Sequence, residues 1–125
     1  MRQRSNLWLA IALLLPLLLP AQVHPSDYER CQQSAFSSAD ILGCMENELR
    51  RVDGLLNRYY RQAMDRIQPF RHDELRRMQR LWIRYRDARC GFFNNRESGS
   101  GGLLDEMQCR IDETARRARE LSELY

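Results

Sequence analysis

The sequence predicts an all-α fold, an antiparallel three-helix bundle with an irregular N-terminal segment, stapled by two disulfides. Three observations predict it. Three stretches repeat apolar residues every three or four positions, the period of a helix with one buried face. Nothing downstream of the N-terminal leader alternates apolar and polar residues as a half-buried strand would. Four cysteines, an even set, stand in a chain of 125 residues, which is one domain at most.

The elements follow in order. Arg2 and Arg4 precede an apolar run from Leu7 to Leu19, then Pro20 and Ala21. A basic start, a short apolar run and a small residue describe a secretory signal peptide over residues 1–22, with cleavage expected between 21 and 26. The run is too short for a comfortable membrane-spanning helix, and no second one follows, so no span is expected after cleavage. No cysteine stands at the junction, so no lipid anchor is expected. Residues 26–125 form the single domain, exported to the periplasm or beyond.

Ser26 to Ser37 reads as an irregular lead-in carrying Cys31. Ser37 then offers a hydroxyl to the free N–H groups of a starting helix. From Ile41 through Met45, Leu49, Val52, Leu56, Tyr59 and Ala63 to Ile67 the apolar residues keep one face. Gln68-Pro69 ends this first long helix, because proline cannot continue the hydrogen-bond ladder. Leu75, Met78, Trp82 and Tyr85 mark a second, ending near Cys90-Gly91. Gly91 to Gly102, GFFNNRESGSGG, has the composition of a long loop. Leu104, Met107, Ile111, Thr114, Ala118, Leu121 and Tyr125 give the third.

Up-down-up topology brings Cys44, Cys90 and Cys109 to one pole, and Cys31 folds back to it. Three pairings are open in an oxidising compartment. The local ones, Cys31–Cys44 and Cys90–Cys109, need the least rearrangement. Charge bounds the partners. Two of the 20 basic residues, all arginine, fall in the leader, leaving 18 against 17 acids. That near-balance argues against nucleic acid, which requires a basic excess.

Leu56-Asn57-Arg58-Tyr59-Tyr60, then Gln79-x-x-Trp82-x-x-Tyr85-Arg86-Asp87-x-x-Cys90, then Cys109-x4-Thr114-x-x-Arg117-x3-Leu121, resembles the LprI-like family of small secreted bacterial domains. The similarity runs from Cys31 to Leu121. It implies a helical domain with paired cysteines and, for some members, binding and inhibition of lysozyme. These motif residues read first as structure. Trp82 and Tyr85 lie on the apolar stripe and are expected in the core. Arg86 and Asp87 are adjacent, point apart, and are expected to tie their helix to neighbours rather than to each other. Asn57 and Gln79 are expected to hydrogen-bond across helices.

Catalytic and metal residues are not expected. His72 heads an exposed first turn, with no serine or cysteine placed beside it as a nucleophile. The cysteines lack the close pairs of a zinc site. SGSGG has no preceding strand and no lysine, so it is no phosphate cradle, and no cofactor is expected. What remains is a surface that binds a protein partner. The loop's Asn94, Asn95, Arg96 and Glu97 are the candidate binding residues, with Arg96 suited to a carboxylate. A lysozyme cleft holds two carboxyl groups, and a rigid loop blocking it would inhibit. The rival reading is an accessory module for another envelope protein, marked by an exposed apolar strip drawing on Phe92, Phe93 and Tyr125.

Overall fold

The computed structural model describes residues 25–124, so the leader and Tyr125 lie outside the described residues. Helices α1 (Asp27–Gln33), α2 (Ser38–Arg66), α3 (His72–Gly91) and α4 (Gly99–Glu123) follow one another. A 3-10 turn over Pro69–Arg71 joins α2 to α3. No strand occurs among the described residues.

The lead-in expected to be irregular is α1. Ser26 and Glu29 form a reciprocal capping box, each side chain satisfying the other's backbone N–H. The helix buries no residue of its own. That is why apolar spacing gave no sign of it. Tyr28 reaches across to α4, donating its hydroxyl to Gln108 Oε1 at 2.9 Å. Ser37 and Asp40 repeat the capping box at the start of α2. At the other end of α2, His72 donates Nε2–H to the Met64 carbonyl at 2.9 Å, closing an open helix end.

The three long helices run up, down and up, and the two that run the same way, α2 and α4, lie closest. Ala63, Thr114 and Ala118 are almost fully buried between them, and such small side chains let two backbones approach. The apolar cluster Leu56, Ala63, Leu75, Ala118 and Leu121 fills the half away from the cysteines. Tyr59, Tyr60, Met64 and Trp82 pack around it, partly buried. At the opposite pole the disulfides are Cys31–Cys44 and Cys90–Cys109, with Cα atoms 5.7 and 5.4 Å apart.

α3 meets α4 but stands off α2, and this overturns part of the expected core. Only Leu75 and Cys90 of α3 are buried. Met78 and Tyr85 are 41% and 51% exposed, and Trp82 is half-buried. A helix covered from one side buries a narrower strip than its apolar stripe offers.

The loop is also shorter than its composition suggested. α4 begins at Gly99, so the glycines of SGSGG form its first turn. Gly99 has φ +59°, a conformation glycine adopts freely. A Cβ on Gly102 would lie 2.5 Å from Ser98 Cβ and 2.8 Å from the Phe93 carbonyl oxygen. Glycine there allows close approach of the loop to the helix, not flexibility.

Candidate functional site

Phe92 to Ser98, the connection between α3 and α4, is held from within. Ser98 Oγ accepts from the Asn95 amide N–H at 3.0 Å and donates to the Phe93 carbonyl at 2.8 Å. The Asn95 side-chain oxygen accepts from the Glu97 N–H at 2.8 Å. Asn94 Nδ2 donates to Glu106 Oε2 on α4 at 2.9 Å. That bond, and then Arg110, hold the Glu106 carboxyl below the usual glutamate range. The Cys90–Cys109 bridge clamps the two flanks. Of the four loop residues singled out, Asn94 and Asn95 thus hold the loop's shape. Arg96 and Glu97 are exposed, and among the described residues Arg96 has no ion-pair partner.

A polar chain leads from the loop along the bundle. Arg110 donates to Glu106 Oε1 through Nη2 at 2.9 Å and to Asp87 Oδ1 through Nη1 at 2.7 Å. Asp87 Oδ1 also accepts from Arg86 Nε at 3.1 Å. The expectation that these neighbours would not pair is therefore corrected: the arginine stem is long enough to curl back to the adjacent carboxylate. Arg86 still ties helices together as expected, donating from Nη1 to Thr114 Oγ1 at 3.2 Å. Its Nη1 lies 3.8 Å from Asp53 Oδ1 on α2. Burial pushes the Asp53 carboxyl up, and the Arg86 charge only partly offsets this.

Arg86 ends the chain at a groove left where α3 stands off α2. About 540 Å³ in volume, it is lined by Asp53, Leu56, Asn57 and Tyr60 from α2, and by Arg76, Gln79, Arg80, Trp82, Ile83 and Arg86 from α3. Behind its wall, Arg117 of α4 is 8% exposed and donates from Nε to Gln79 Oε1 at 3.1 Å. Gln79 crosses between helices as expected. Asn57 does not: it is exposed on the groove, and among the described residues its amide finds no partner on another helix. The Arg86 and Arg117 guanidinium carbons lie 5.1 and 5.9 Å from the Trp82 ring centroid, within cation–π range.

Leu56, Asn57, Tyr60, Gln79, Trp82 and Arg86, six of the motif residues, converge here, while Thr114 and Leu121 are fully buried. Sequence reasoning did not find Asp53, Arg76, Arg80 and Ile83 as groove residues. Their helix was legible, but the gap between α2 and α3 has no sequence signal. The Glu106–Arg110 pair, at i and i+4, was findable from charge spacing. Among the described residues no group of three or more His, Cys, Asp or Glu is placed to hold a metal ion. Nor is any described helix long and apolar enough to cross a membrane.

Comparison with known proteins gives one family. A family model described as lysozyme inhibitor LprI matches residues 30–121. An uncharacterized protein of Rhizobium meliloti (strain 1021) is 29% identical, over 92% of this chain and 91% of its own length. No solved structure matches.

Proposed function

The chain belongs to the LprI lysozyme inhibitor family, and from that premise we propose that it is an exported protein that blocks the active-site cleft of lysozyme-type cell-wall hydrolases. Two disulfides and the family fit a periplasmic or extracellular protein. The proposed signal peptide, residues 1–22, would deliver it there and leave residues 26–125 as the working domain.

The observation that carries the reading is the braced loop with Arg96 free at its surface. A lysozyme-type cleft works through two carboxyl groups, and a guanidinium pairs well with a carboxylate. Because the loop is already ordered, binding would cost little further entropy. A mature charge near +1 adds no long-range attraction to a basic enzyme, so contact geometry must supply the affinity.

The test is an assay of lysozyme turnover with the wild type, with Arg96→Ala, and with residues 94–97 replaced by a Gly-Ser linker. Arg96→Ala should weaken inhibition about tenfold or more, the worth of one charge-assisted contact, with little change in melting temperature. Full inhibition by both variants would move the site off the loop. Absence of inhibition by the wild type favours the second reading, an accessory module that binds another envelope protein. One observation supports that reading: Met78, Leu81 and Tyr85, at i, i+3 and i+7 on α3, are all exposed, as is Phe92.

A further inference from the structure

We propose that the groove between α2 and α3 is a binding site for a small acidic sugar, separate from the loop. Its charge is the first argument. Arg76, Arg80 and Arg86 face a single carboxylate, Asp53, in a groove of about 540 Å³, within the size range of small-ligand sites. Arg86 is engaged by Asp87 and Thr114 and is fixed in place. Arg76 pairs with Asp73 on its own helix, while Arg80 is exposed and, among the described residues, in no ion pair. Two guanidiniums, one fixed and one free, are a natural receiver for a planar carboxylate.

The second argument is the polar inventory beside that charge. Gln79 has its oxygen taken by Arg117, so its NH₂ is left to donate. Asn57 offers both donor and acceptor, and Tyr60 a hydroxyl. Asp53 accepts, as ring hydroxyls require. A bare anion would leave these groups unused, and a neutral sugar would leave Arg80 unanswered. A sugar acid uses both.

The third argument is that packing does not explain every group in the site. Asn57 and Arg80 are exposed and hold nothing together, and Trp82, packed on the core at one side, lies within cation–π range of two arginines.

Titration of the full chain with N-acetylmuramic acid tests the proposal, with N-acetylglucosamine as neutral control and inorganic phosphate as bare oxyanion. Heat of binding is one readout. In a Trp8→Phe background Trp82 becomes the only tryptophan, and its fluorescence is the second. The expected result is saturable binding of the acid alone, weakened about tenfold or more in Arg80→Gln. Arg80 is exposed on a helix, so this variant should fold normally, and unchanged melting will verify it. Saturable binding of phosphate but not the sugar acid would overturn the ligand class. No saturable binding, or binding that Arg80→Gln leaves unchanged, would overturn the site. Lysozyme inhibition by Arg80→Gln should match the wild type, so loss of the groove and loss of the loop are told apart.

Discussion

One end of this bundle adds two disulfides and a braced loop to its buried apolar residues, while the other relies on a larger apolar cluster with no disulfide. At the stapled pole, two disulfides join α1 to α2 and α3 to α4, and the loop between the latter is braced by its own side chains. At the far pole Leu56, Ala63, Leu75, Ala118 and Leu121 form the core, with no disulfide near. The difference teaches where a small domain can place exposed polar groups. Cross-links there reinforce the burial of Met45, Val52 and Ile111, so the loop beyond them is free to carry Arg96. The groove is the intermediate case, with an apolar floor at Leu56 and polar walls.

The comparison is broken most severely at the far pole. Leu121 is fully buried, and Leu121→Ala should cost about 3–5 kcal/mol, as Leu-to-Ala changes in tight cores do. Denaturant unfolding measures it. A cost near 1 kcal/mol would mean that the apolar cluster does not hold that end.

Removing the staple of the loop should come next. Cys90→Ser with Cys109→Ser opens a crosslink across 19 residues, worth about 3 kcal/mol on chain-entropy grounds. Amide exchange should rise first in residues 91–99 and leave the far pole protected. Uniform loss of protection would show the two ends to be a single cooperative unit.

The smallest effect sharpens the comparison within the loop itself. The folded Glu106 carboxyl titrates below its ordinary range, chiefly because Asn94 donates to it. Its contribution is therefore fully present above the ordinary glutamate range and is lost as pH falls through the lower folded value. Asn94→Ala should cost about 1 kcal/mol or less at neutral pH, and the gap from wild type should narrow on acidification. NMR titration of Glu106 reads the cause directly, since its pKa should rise in the variant. An unmoved pKa would remove Asn94 as the brace.

Much of the fold was written in local pattern. The 3/4 spacing from Ile41 to Ile67, the stop at Pro69 and the run from Leu104 to Leu121 follow from helix geometry, and each long helix appears close to where that pattern puts it. The up-down-up order gathered the four cysteines at one pole, and of the three open pairings the structure has the local one that needed the least rearrangement. α1 escaped because it is a seven-residue helix supported by a capping box, with no buried face. The first turn of α4 escaped because glycine reads as loop in composition, although Gly102 is there so that backbone can press on Ser98 and Phe93.

What the sequence by itself determined is therefore the helices, their order and the family, with the local cysteine pairing favoured among three, because each depends on near neighbours or on one periodic face. Tertiary structure alone decided how α3 sits. Small residues drew α2 and α4 together and left α3 packed on α4, which exposed Tyr85 and half of Trp82 and opened the groove. It also decided which charges meet. Asp53 and Arg86, 33 positions apart, come within 3.8 Å only because two helix axes and one rotation are fixed together. No local spacing encodes that distance, because it depends on packing summed over all three long helices.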